Sequence, residues 1–155
     1  MYEVTVQNEA ETLDLAGRFG RILAARGVVY LNGELGAGKT TFCRGILRAY
    51  DYHGAVKSPT FTLVEPYDLQ WGQVFHFDLY RIADPEELEF LGIEDYLEGG
   101  NLCLIEWSER GAGFLPSADI VLDIKVAKQE RHFRFTACSE FGRATLQQMG
   151  DSSKP

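Results

Sequence analysis

Val28-Val29-Tyr30-Leu31-Asn32-Gly33-Glu34-Leu35-Gly36-Ala37-Gly38-Lys39-Thr40 decides the fold. The first four residues are an apolar run rich in β-branched and aromatic side chains, the mark of a strand buried in a parallel sheet. Gly33 to Thr40 then fits G-x-x-x-x-G-K-[ST], and a helix from Lys39 to about Tyr50 follows. Glycines let the backbone curl until successive N–H groups face one point, and the helix aims its positive end there. That point suits phosphate. Lys39 is expected to reach the β- and γ-phosphates, and the Thr40 hydroxyl to ligate Mg²⁺. The strand before the motif and the helix after it are the setting a P-loop requires.

Outward from this segment the pattern is α/β. Tyr2 to Val6 alternates like a strand. Asn8 and Glu11 form a capping box for an amphipathic helix over Glu9 to Ala25, with Leu13, Ala16, Phe19 and Leu23 at helical spacing. Beyond the motif, strands are expected over 61–67, 73–78 and 102–106, with a short acidic helix over 85–91. Segments 120–126 and 131–137 read as a C-terminal hairpin. The expectation is a single P-loop NTPase domain over 1–150, built on a mixed, mainly parallel sheet flanked by helices. Residues 151–155 read as a disordered polar tail.

A P-loop needs an acid at the end of a neighbouring strand to hold magnesium directly or through water. Leu102-Cys103-Leu104-Ile105-Glu106 and Val74-Phe75-His76-Phe77-Asp78 each end in one. Glu106 is favoured as the metal partner because its strand is the more uniformly apolar, hence the more central. Asp78 is left to ligate magnesium through water or to position the attacking water. His76 shares a strand face with Asp78, as a support of the site or as a structural histidine. Trp107 is either core packing or an anchor for a partner. Lys57-Ser58-Pro59-Thr60-Phe61-Thr62 lies where P-loop switch proteins close a loop over the γ-phosphate, with Thr60 or Thr62 as its sensor. No Asn-Lys-x-Asp segment occurs, which favours ATP over GTP.

Bulk properties narrow the partner. A chain of 155 residues with formal net charge −8 has no overall electrostatic footprint for gripping nucleic acid. A protein or small-molecule partner fits better. The three cysteines, Cys43, Cys103 and Cys138, lack zinc-ligand spacing, and no chemistry is expected of them. Their sparse use, the absence of a signal-like N-terminus and the lack of a bilayer-length apolar run point to a soluble, cytoplasmic protein without membrane contact.

Several motifs in order resemble the TsaE (YjeE) family of bacterial ATPases. They are Gly33 to Phe42, then Lys57 to Tyr67, then His76-Phe77-Asp78-Leu79-Tyr80-Arg81, continued by Asp84 to Glu89 and Ile105-Glu106-Trp107. The resemblance spans about Thr12 to Ala137. It implies an ATP- and Mg²⁺-dependent accessory of threonylcarbamoyladenosine formation on tRNA, with TsaB and TsaD homologues as protein partners and tRNA met only through their complex. It further implies nucleotide contacts from Glu34, Leu35, Gly36, Ala37, Gly38, Lys39, Thr40 and Thr41. Magnesium falls to Thr40 and Glu106, a second essential acid to Asp78, and contacts at the base end to Thr12 and Arg131. Lys39, Asp78 and Glu106 are thereby the catalytic set. Ser108 stands where family members have proline. No obvious arginine finger is seen, so hydrolysis by the chain alone is expected to be slow, and Arg81 and Arg110 are isolated and do not make the arginine-rich lid a kinase would need. The alternatives are a small-molecule kinase on the same fold and a docking module for which hydrolysis is incidental.

Overall fold

In the computed structural model of the chain, residues 1–34, 36–56, 59, 63–97 and 100–152 are described. Leu35 and most of the expected switch segment, Lys57, Ser58, Thr60, Phe61 and Thr62, lie outside the described residues.

Strand β1 (Tyr2–Val6) leads to helix α1 (Glu9–Leu23). The Asn8 side chain accepts from the Glu11 amide at 2.9 Å, and the Glu11 carboxylate accepts from the Gln7 amide at 2.8 Å. The capping box therefore forms with its return bond one residue earlier than usual. The helix ends sooner than its apolar spacing suggests, because Ala24 and Ala25 both turn left-handed at φ 53° and 58°. Strand β2 (Gly27–Asn32), the glycine loop and α2 (Lys39–Ala49) follow.

Next come β3 (Val64–Leu69), β4 (Gly72–Asp78), α3 (Glu87–Leu91), α4 (Ile93–Leu97), β5 (Leu102–Glu106), β6 (Ile120–Ala127), β7 (Glu130–Ala137) and α5 (Glu140–Ser152). The expected acidic helix starts two residues late and is followed by a second, the two separated by left-handed Gly92. Helix α5 was not anticipated. It runs to Ser152, so Asp151 and Ser152, read from sequence as disordered tail, are helical, and residues 153–155 lie outside the described residues.

One seven-stranded sheet runs β1-β7-β6-β2-β5-β4-β3. It is mixed, as expected. Its parallel pairings, β6 with β2, β2 with β5 and β5 with β4, hold the centre. They are equalled in number by antiparallel pairings toward the edges. Alternation along the strands sorts the core into two faces. Val29 and Leu31, Leu102 and Leu104, and Phe133 and Phe135 pack with Phe19, Phe42 and Ile46 of α1 and α2. Phe75, Phe77, Cys103 and Ile105 pack on the opposite face with Leu79, Leu88 and Ile93. Between α1 and α2 the backbones come close at Gly45. A Cβ there would lie 2.6 Å from that of Ala16 and 3.0 Å from the Leu13 carbonyl.

Candidate nucleotide and magnesium site

The loop after β2 turns left-handed at Gly36 (φ 81°) and Gly38 (φ 110°), with no atom near either missing Cβ. Glycine is required there by backbone conformation, not by space. Gly38 is the N-cap of α2 and has no side chain to satisfy the first-turn amides of Lys39, Thr40 and Thr41. An uncapped helix N-terminus behind a curled loop is an anion cradle.

Register carries the acids to the same end of the sheet. Leu31 on β2 pairs with Glu106 on β5, and Glu106 pairs with Asp78 on β4. The P-loop thus begins two residues beyond a row that holds both carboxylates. Both acids share the sheet face that packs α2, and both are buried, Glu106 at 2 % and Asp78 at 4 % exposure. Asp78 Oδ1 accepts from the Tyr80 amide at 3.0 Å, which fixes one of its oxygens.

Lys39 bends back on its own loop. Its Nζ donates to the Gly33 carbonyl at 2.6 Å and sits 4.1 Å from the centre of the Trp107 ring. Burial pulls its pKa down, while Glu106, Asp78 and Glu109 oppose that shift. Trp107 is itself left-handed at φ 58° and opens a short 3-10 turn, Ser108–Gly111. Its ring lies 5.0 Å from that of Tyr80, and the Arg110 guanidinium sits over both, at 5.1 Å from Tyr80 and 5.8 Å from Trp107. Trp107 packs half-buried against the second core face, and Arg110, read from sequence as isolated, belongs to this aromatic cluster.

Behind the acids is a buried polar group that the sequence only hinted at. His76 Nε2 lies 2.5 Å from Glu106 Oε2 and 3.6 Å from Cys43 Sγ on α2. His76 Nδ1 has no hydrogen-bond partner among the described residues. Burial opposes a charged imidazole, but Cys43 and Glu106 on Nε2 outweigh it and lift the His76 pKa to about 10. Burial also pushes the Cys43 thiol up, with His76 opposing.

A cavity of about 850 Å³ opens beside the loop, lined by Gly33, Glu34, Ala37 and Lys39 on one side and by Trp107 and Ser108 on the other. Asp123 to Val126 of β6 complete its wall. Gly36, Gly38, Thr40, Thr41, Asp78 and Glu106 do not line it, nor do Thr12 and Arg131. Thr12 is buried in the first turn of α1, its hydroxyl 3.4 Å from the Asn8 carbonyl. Arg131 faces Val6 in the β1–β7 register and donates to the Glu130 carbonyl at 3.3 Å. These two expected base-end residues stand on α1 and on β7. Ser108 is buried and starts the 3-10 turn.

Comparison with known proteins agrees with this architecture. Residues 6–134 match the model of the family described as threonylcarbamoyl adenosine biosynthesis protein TsaE. A Haemophilus influenzae protein named tRNA threonylcarbamoyladenosine biosynthesis protein TsaE is 53 % identical over 116 residues, 75 % of this chain and 73 % of that protein. A Bacillus subtilis protein of the same name is 37 % identical over 131 residues, covering 84 % and 82 %. The crystal structure of Bacillus subtilis YdiB superposes with a TM-score of 0.81 at 27 % identity, over 99 % of this chain and 96 % of that one.

Proposed function

The chain belongs to the TsaE family, and from that premise we propose that it is a Mg²⁺-dependent, slowly hydrolysing ATPase that supports a TsaB–TsaD pair in forming threonylcarbamoyladenosine on tRNA. The observation that carries the nucleotide part is the row Leu31, Glu106, Asp78 across three parallel strands, with the P-loop rising from its end. A curled glycine loop, a lysine and two buried carboxylates at one end of one sheet support a phosphate-binding reading. The tRNA part rests on the family and on the names of the relatives.

The donor chemistry fits magnesium. Thr40 and Glu106 offer hard oxygens, with Asp78 alongside, and Mg²⁺ prefers few carboxylates and retained waters. Thr40 and Glu106 would hold the ion, which would supply positive charge at the phosphates of ATP. Loop amides and the α2 N-terminus bind the phosphates. Lys39 leaves the Gly33 carbonyl and the Trp107 ring and turns its ammonium toward the β- and γ-phosphates. Asp78 orients the attacking water and accepts its proton. Arg110 is held against Tyr80 and Trp107, so the charge left uncompensated in the transition state falls to a partner. Hence the slow rate proposed for the chain alone. Glu34 to Thr41 and, at the base end, Thr12 and Arg131 complete the proposed nucleotide contacts. The net charge of −8 favours docking on protein over direct grip on tRNA. Among the described residues no helix is long and apolar enough to cross a membrane, and a cytoplasmic location follows from the tRNA-modification role.

The test is ATP hydrolysis by the chain alone and with a TsaB–TsaD pair from the same cell. A marked rise with the pair, abolished by Lys39→Ala, is expected. No binding and no change in rate would overturn the assignment to this complex.

A further inference from the structure

Cys43, His76 and Glu106 converge from α2, β4 and β5, and one ligand atom of each lies within 4.8 Å of the others. All three side chains are buried. Thiol, imidazole and carboxylate together are not a magnesium set, since that ion takes oxygens. They are the donor set of a thiophilic divalent cation such as Zn²⁺.

The distances support this. With Zn–S about 2.3 Å and Zn–N about 2.0–2.1 Å, two ligands of a tetrahedral ion sit roughly 3.5 Å apart. Cys43 Sγ and His76 Nε2 are already 3.6 Å apart. Glu106 Oε2, at 2.5 Å from Nε2, has to withdraw by roughly 0.8–0.9 Å to share an ion with the imidazole, a small swing for a side chain of that length. The three side chains supply three ligands and leave the fourth position of a tetrahedral ion to water. Lys39 and Trp107, which line the cavity, stand a helical turn before Cys43 and directly after Glu106.

We infer that Cys43, His76 and Glu106 form a binding site for a thiophilic divalent cation, and that filling it takes Glu106 away from the magnesium position. Binding requires the Cys43 thiolate and a ring nitrogen of His76 free of its proton, so it releases protons. The competition for Glu106 rests on the function proposed above, whereas the binding itself does not.

Co²⁺ alone, titrated into the nucleotide-free protein without magnesium, is the probe. The expected spectrum has the visible bands of a tetrahedral ion and a near-ultraviolet thiolate charge-transfer band, saturating at one equivalent and displaced by Zn²⁺. Cys43→Ser, Cys43→Ala and Glu106→Gln should each weaken binding by about tenfold or more. Cys138→Ser, which alters an exposed thiol, should leave the spectrum intact. Glu106→Gln removes a ligand without touching the helix, so the site is judged even if a Cys43 variant fails to fold. A spectrum with no thiolate band, or one lost with Cys138, overturns the site. In the hydrolysis assay with excess Mg²⁺, Zn²⁺ should slow the wild type and be about tenfold less potent on Cys43→Ser, each against its own uninhibited rate. Equal potency overturns the competition. A chain that hydrolyses no ATP sinks the proposed function, while the Co²⁺ spectrum still decides the site.

Discussion

Replacing Tyr50 by phenylalanine tests how the P-loop helix is held. Tyr50 caps the end of α2, and its hydroxyl donates to the Gly20 carbonyl at 2.5 Å and accepts from the Ala25 amide at 3.0 Å. It therefore ties α2 to the left-handed exit of α1. Tyr50→Phe leaves a buried amide without its partner, a cost of about 1–3 kcal/mol, or roughly 2–12 °C in Tm for a chain of this size. Alkali gives a second reading of the same bond. Burial raises the Tyr50 pKa from 10.0 to about 12, with the Ala25 bond opposing. A group whose folded pKa is raised contributes stability below its unfolded pKa and loses it as pH climbs toward the folded one. Between pH 8 and pH 11 the wild type should lose about 1.4 kcal/mol through this group, and the phenylalanine variant nothing through it. Urea melts of both proteins at the two pH values measure the gap, and the subtraction removes the other titrating groups, Tyr67 included. The gap should narrow by about that amount at pH 11. A gap that is constant or widens would refute the reasoning.

The same substitution should have opposite signs at two helical glycines. Gly150→Ala meets nothing within 4 Å and should stabilise by a few tenths to about 1 kcal/mol, whereas Gly45→Ala drives a methyl into Ala16 and the Leu13 backbone, and overpacking of about 1–3 kcal/mol should outweigh its helix propensity. Thermal melts of the two variants decide the signs. Glu106→Gln should raise the Mg²⁺ concentration for half-maximal ATP binding by about tenfold or more, measured by calorimetry across a magnesium series. With Trp71→Phe leaving Trp107 as the only tryptophan, ATP should change its emission as Lys39 leaves the ring, and Lys39→Ala should abolish that response.

Local signals made the framework around the loop legible. β2, the loop and α2 were readable because a strand, left-handed glycines and a helix start each demand particular residues in a fixed order. Strand β5 matched residue for residue, since an apolar run closed by an acid has one reading. Helix α5 was hidden by Gly142 and Gly150, which dilute helical propensity. Its signals were nevertheless present. Ser139 accepts from the Gly142 amide at 3.0 Å as a cap, and Leu146 and Met149 stand at helical spacing on the buried side. Contacts between distant segments were not legible. Nothing local brings Arg110 onto Tyr80 and Trp107, or folds Lys39 onto Gly33.

His76 shows where the line between legible and hidden falls. It interrupts an apolar run in a strand that lies between β3 and β5, so its side chain had to be either a flaw in the core or a paired group. Pairing follows from register. His76 stands opposite Leu104, and Glu106, two residues further along β5, shares its face within reach of a long side chain. The same alternation that puts Asp78 beside Glu106 therefore puts His76 behind it. A carboxyl group buried at 2 % exposure needs such a hydrogen-bond partner, and His76 supplies it. Strand β5 was identified by its uniform apolarity, and the acid at its end is paired with the histidine that breaks the uniformity of its neighbour.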